Sequence, residues 1–161
     1  NTIPIIKTIK RNFYKHAGTL SVFLIPVLIF IYIFAENIVV FFGGKLYVET
    51  AGILRIFLFY LVFIPINQYL GIVLVALDLP KLNFIRVFVS LLISISLNTI
   101  IILSWDNLYY MAYTKIFVIL VSVFMGLNLV RNEMKVSFFQ IYKTGFSTVW
   151  RYLVNFINKM N

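Results

Sequence analysis

Phe84-Ile85-Arg86-Val87-Phe88-Val89-Ser90-Leu91-Leu92-Ile93-Ser94-Ile95-Ser96-Leu97-Asn98-Thr99-Ile100-Ile101-Ile102-Leu103-Ser104-Trp105 is the stretch whose reading decides the fold. It carries a single charge, and it is long enough to cross a bilayer, which takes about 20 mostly apolar helical residues. Arg86, Ser90, Ser94 and Asn98 stand four residues apart within it, so on a helix they form one polar stripe. In water such a row is routine. In hydrocarbon each polar group needs a partner or a wet cavity. The stretch therefore implies an integral membrane protein that turns part of its polar chemistry inward.

Composition agrees. Hydrophobic residues make up 62% of the 161 and charged residues only 12%, whereas a soluble domain has about 25% charged residues. The lack of cysteine removes disulfides, thiolate nucleophiles and thiolate metal sites. The net charge of +9 suggests nucleic acid at first sight. The basic residues, however, lie between and beside apolar runs and form no track for phosphates, so their placement reads as membrane topology and no nucleic acid partner is expected.

Three further runs are long enough to cross. The expected organisation is a basic segment over 1–16, a four-helix unit over 17–130 with spans at 17–35, 53–77, 84–105 and 108–130, and a basic tail over 131–161. The connection Glu36–Gly52 is the longest, while Asp78-Leu79-Pro80-Lys81 and Asp106-Asn107 read as tight turns. Lys7, Lys10, Arg11 and Lys15 precede the first span, Lys81 lies in the second connection, and Arg131, Lys135, Lys143, Arg151 and Lys159 follow the last. The positive-inside rule then puts both termini in the cytoplasm. In the tail Phe138, Tyr142, Phe146, Val149, Trp150, Leu153, Ile157 and Met160 recur at helical spacing opposite Lys143, Ser147, Arg151 and Asn155. Such an amphipathic basic helix either lies in the headgroup layer or packs against the inner ends of the bundle.

Polar residues inside the spans are the candidate functional groups, because ionisable side chains in a membrane by default mark a functional site. Arg55 either snorkels to headgroups or faces a lumen. Lys115, Ser122 and Gly126 share a narrow stripe, which suits either a close helix contact or a cation lining a cavity, with the cavity preferred. Asn67 and Gln68 follow Pro65, whose ring frees a backbone carbonyl, and Asn67 and Gly71 lie one turn apart. Arg55 stands about 120° from Asn67 on an ideal helix. For Arg86 the expectation is anchoring at the inner interface, and for Ser90 and Ser94 close helix packing. The aromatic residues near the span ends, Tyr47, Trp105, Tyr109, Tyr110 and Tyr113, read as an interfacial belt. No HExxH, P-loop, GxGxxG or paired carboxylates occur, and His16 is the sole imidazole. Neither an enzyme nor a cofactor or metal site is therefore expected.

Ala35-Glu36-Asn37-Ile38-Val39-Val40-Phe41-Phe42-Gly43-Gly44-Lys45-Leu46-Tyr47-Val48-Glu49-Thr50-Ala51-Gly52-Ile53-Leu54-Arg55-Ile56 resembles a family pattern: an acidic residue ending a span, Phe-Gly-x-x-Tyr, a short connection with alanine, then Ile-Leu-Arg-Ile. The pattern is that of the polysaccharide flippases of the multidrug/oligosaccharidyl-lipid/polysaccharide export superfamily. Val75-Ala76-Leu77-Asp78-Leu79-Pro80-Lys81 is similar to their cytoplasmic connection, and Asn98 matches a recurrent asparagine. The similarity covers roughly Pro4 to Val130 and departs over Asp106–Ala112, where only Ala112 matches the family's usual small-residue start of its last span.

The resemblance implies an all-α membrane protein, four transmembrane helices plus a C-terminal amphipathic helix, similar to the last part of the second lobe of a MATE-like flippase in the bacterial inner membrane. Asn1 in place of methionine fits a piece of a longer chain, so a missing N-terminal lobe or other subunits are implied partners, along with membrane lipids. The implied substrate is an undecaprenyl-diphosphate-linked oligosaccharide. Arg55 and Lys115 are then the cavity cations, with Asn67, Gln68 and Asn98 as hydrogen-bonding walls. A small accessory protein of envelope-sugar synthesis, with no transport cycle of its own, is the alternative.

Overall fold

A computed structural model describes residues 3–104, 108–131, 133–134 and 136–160. Among these residues the chain is all-helical: α1 (Ile3–Ile33), α2 (Ala35–Gly43), α3 (Thr50–Ala76), α4 (Pro80–Ser104), α5 (Leu108–Arg131) and α6 (Phe138–Met160). Four of them, α1, α3, α4 and α5, are long and apolar enough to cross a membrane. Trp105, the turn expected at Asp106-Asn107, and Lys135 lie outside the described residues, as do the side chains of Leu153, Lys159 and Met160.

The boundaries differ from expectation in two places. The basic segment is helical and continuous with the first span, since α1 runs unbroken from Ile3 through Lys15 into the apolar run and past Pro26. The first connection is also largely helical. α2 follows α1 with hardly a break, since Phe34 N donates to Phe30 O at 3.1 Å and Ile38 N to Phe34 O at 2.9 Å. Glu36 lies in its first turn, where a carboxylate meets the positive end of the helix dipole. The helix ends where Gly44 adopts φ of 84°, a conformation that only glycine takes freely. A 3-10 turn over Lys45–Tyr47 then leads to α3.

The turn between α3 and α4 is a Schellman motif. Leu79 N donates to Leu74 O at 2.8 Å and Asp78 N to Val75 O at 3.0 Å, with Asp78 at φ of 61°. Pro80 then opens α4, where its missing N–H removes no helical bond.

α3 is the central helix. It packs against α1 on one side and α5 on the other, and α4 rests mainly on α5 with little contact to α3. Ile66, Leu70 and Leu74 of α3 meet Ile119, Val123 and Val130 of α5 and Phe13 and Ala17 of α1 in one buried cluster, closed by Met134 and by Ile141 of α6. In lipid such contacts act through close van der Waals packing, so small residues set how near two helices can come. α6 packs along α1 where Gly18 meets Ile141 O and the backbone of Gly145. Ser137 N also donates to Tyr14 Oη at 2.8 Å. The tail helix thus packs against α1, while Phe139, Phe146, Trp150 and Ile157 on another face of it stay exposed.

Candidate functional site

Because α4 leans on α5 and barely touches α3, a groove opens between α3 and α4 with α5 as its floor. Its volume is about 250 Å³, and its polar lining comes from Tyr60 and Asn67 of α3, Ser90 and Ser94 of α4, and Lys115 and Ser122 of α5. Val87, Leu91, Val118 and Ile119 supply the apolar wall.

One end of this polar system is built around Arg86, six residues into α4 and so about 9 Å along it. Its guanidinium is sandwiched between two glycines. A Cβ on Gly126 of α5 would stand 2.7 Å from Nη1, and one on Gly71 of α3 would stand 3.2 Å from Nη2. Nη1 donates to Asn67 O at 3.3 Å and to Asn67 Oδ1 at 3.4 Å. Nη2 donates to Asn67 O at 3.3 Å and to Asn83 Oδ1 at 3.0 Å. Ser122 Oγ donates to the same Asn67 Oδ1 at 2.9 Å, and Ser90 Oγ to the Arg86 carbonyl at 2.8 Å. Arg86 is only 3% exposed, and its Nε is buried without a partner among the described residues.

The other end is built around Lys115. Its Nζ donates to Ser94 Oγ at 3.3 Å, and that oxygen also accepts from Asn98 Nδ2 at 3.4 Å. The Thr114 hydroxyl lies 2.9 Å from Asn98 Oδ1 and 2.7 Å from Met111 O, sharing its proton between them. The four-residue row on α4 thus divides between two clusters, with Arg86 and Ser90 toward one end and Ser94, which accepts from Lys115, and Asn98 toward the other.

The electrostatics are one-sided. No Asp or Glu occurs anywhere in 50–76, 80–104 or 108–131, the three helices that form the groove. Every partner of Arg86 and Lys115 given above is a neutral oxygen. A buried cation without a carboxylate is costly in hydrocarbon, and hydrogen bonds to neutral oxygens offset only part of that cost. The arrangement can therefore accept an anion, and its hydroxyls and amides can hold neutral polar groups beside it.

Of the residues singled out in the sequence, Lys115 and Asn67 line the groove, and Asn98 fixes Ser94 and Thr114 behind it. Gln68 is exposed and outside the lining. Arg55 lies elsewhere: Nη2 pairs with Glu36 Oε1 at 3.0 Å, Nε donates to Tyr32 O at 3.5 Å, and Cζ lies 5.6 Å from the Tyr32 ring centre. The sequence expectation for Arg86, anchoring at an interface, is corrected, because the side chain is enclosed by α3 and α5 rather than reaching outward. Asn83 and Thr114 were not singled out at all. The signal for Arg86 was present in Gly71 and Gly126, but it needs the register of three helices to be read.

Comparison of the chain with family models, with curated proteins and with solved structures gives no match.

Proposed function

We propose that this chain is the four-span closing portion of an inner-membrane flippase that carries an undecaprenyl-diphosphate-linked oligosaccharide from the cytoplasmic to the outer leaflet. One observation carries the reading: two cations, Arg86 and Lys115, belong to one polar system between three spans that contain no carboxylate. A lipid-linked diphosphate is an anion attached to a hydrocarbon tail, so it supplies the missing charge while its tail stays in lipid. The resemblance of Ala35–Ile56 to the polysaccharide flippases points to the same substrate class. The groove, about 250 Å³ and open along one side, has room for the charged head of such a lipid. The remaining wall of the cavity then comes from further spans, in a longer chain or in other subunits. On this reading Lys115, on the groove surface, meets the diphosphate directly, and Arg86 holds Asn67 in place for it. The positive-inside count puts both termini in the cytoplasm.

The test is complementation of a strain lacking its flippase with the complete protein carrying Lys115→Ala or Arg86→Met. Loss of surface polysaccharide at normal protein abundance is expected for both. Normal polymer with normal abundance for Lys115→Ala refutes the reading.

A further inference from the structure

A second polar cleft lies outside the groove, between the first half of α1 and α6, with a volume of about 650 Å³. Arg11 and Lys15 of α1 line it from one side, and Lys143 and Arg151 of α6 from the other, with Thr144 and Ser147 between them. None of its lining residues is acidic. The close approach of Gly18 and Gly145 holds the two helices together beside it, so the four cations converge on one space rather than standing on separate faces.

The level of this cleft follows from length. α1 has 31 residues, about 46 Å at 1.5 Å per residue, against about 30 Å of hydrocarbon. At the usual tilt of about 20°, roughly 14 Å of it extends past the hydrocarbon, and the charges Lys7, Lys10, Arg11 and Lys15 put that excess at its N-terminal end. The cleft therefore sits at the boundary where phosphates begin. α6 also presents Phe139, Phe146, Trp150 and Ile157 as an exposed apolar stripe next to the cleft-lining residues. A cationic cleft bordered by aromatic residues matches a ligand with a phosphate above an acyl chain.

We infer that the α1–α6 cleft binds the phosphate headgroup of an anionic phospholipid of the surrounding bilayer, with the Phe146 and Trp150 side at the top of its acyl chains. The site is separate from the α3–α4–α5 groove and does not depend on translocation.

The chain has two tryptophans, Trp105 and Trp150, so W105F leaves Trp150 as the reporter at the cleft. The full W105F chain in neutral detergent micelles is titrated with phosphatidylglycerol or phosphatidylcholine brominated high on the acyl chain, and quenching of Trp150 is followed. Phosphatidylglycerol is expected to quench at much lower concentration than phosphatidylcholine. Each cation near the surface contributes about five-fold in affinity. Adding K143Q/R151Q is thus expected to raise the half-quenching concentration of phosphatidylglycerol about thirty-fold, with helicity by circular dichroism unchanged. K81Q/R131Q, which removes the same charge away from the cleft, is expected to leave it within about two-fold. Equal quenching by the two lipids overturns the inference, as does an equal loss in the two double variants. Full displacement of phosphatidylglycerol by an equal concentration of soluble glycerol phosphate also overturns it, since the ligand is then a free phosphate.

Discussion

Gly126→Ala tests the seating of Arg86 by the sign of its effect. Alanine is favoured over glycine in a helix interior by about 1 kcal/mol, so at an uncrowded position the change stabilises. At Gly126 the new methyl stands 2.7 Å from Arg86 Nη1 and 3.0 Å from Leu70 Cδ1. Leu70 Cδ1 is the end of a flexible side chain and can turn away. The guanidinium cannot move without breaking the Nη1 bonds to Asn67 O and Oδ1, worth about 0.6 kcal/mol each on the average for interhelical bonds in membranes. Over-packing adds about 1–3 kcal/mol. The variant is therefore expected to be less stable by about 1–3 kcal/mol despite its better helix propensity. In an Arg86→Ala background the methyl enters the space the guanidinium left, and the same change should stabilise by about 1 kcal/mol. The cycle thus predicts a coupling of about 2–4 kcal/mol. Reversible unfolding of the purified chain in mixed micelles, driven by SDS and followed by circular dichroism, measures all four corners. Additivity within about 0.5 kcal/mol would refute the placement of Arg86 between Gly71 and Gly126.

Three other substitutions check separate parts of the structure. Asp78→Gly removes a side chain from a left-handed position and keeps the Schellman bonds, so a gain of up to about 1 kcal/mol is expected in the same assay. Arg55→Met breaks the Glu36 pair, whose side chains are 32% and 58% exposed, and is expected to cost no more than about 1 kcal/mol and, under the flippase proposal, to leave surface polysaccharide unchanged in the complementation test. A loss of polymer at normal abundance would return Arg55 to the residues proposed to meet the substrate. Gly145→Val puts a side chain into the carbonyl of Gly18, so α6 is expected to separate from α1. Limited trypsin digestion at Lys143 and Arg151 should then run at least several-fold faster, and unchanged digestion would argue against the crossing.

The spans could be read from the sequence because lipid imposes a simple condition: about 20 apolar residues with the backbone bonded internally. α3, α4 and α5 each satisfy it, with ends a few residues from the expected ones. The polar row of α4 could be read for the same reason, since a four-residue repeat survives any choice of neighbours. What the row faces could not. Arg86 follows the same pattern whether it snorkels or is enclosed, and the difference lies in Gly71 and Gly126, on two other helices. Arg55 was obscured by α2. Once Ala35–Gly43 is helical, Glu36 comes within 3.0 Å of the guanidinium, whereas a loop there predicts no partner. The tail showed its amphipathic pattern plainly, but a headgroup layer and a neighbouring helix ask for the same pattern.

Lys115, which lines the groove, and Arg86, which lies buried behind Asn67, differ in a way that bears on how an anion would be handled. A snorkelling arginine needs no gap in the helices beside it, yet here two helices each lack a side chain where the guanidinium lies. The fold thus holds Arg86 in place, with Asn67 as the shared acceptor of Arg86 and Ser122. Asn67 has its Oδ1 occupied by these donors, which leaves its amide N–H groups as the part available to a ligand in the groove. Lys115 is held more loosely, among the described residues by a bond at 3.3 Å from the floor to Ser94 on the α4 wall. A lysine ammonium on a flexible stem can follow a moving anion, while a clamped guanidinium fixes the geometry of its surroundings. An anion entering the groove would therefore meet Lys115 first and displace Ser94 from it, and the Arg86–Asn67–Ser122 group would stay as it is. Lys115→Arg is the change that separates these roles: charge is kept, but the mobile point charge becomes a planar fork, so binding of a diphosphate should persist while its release slows.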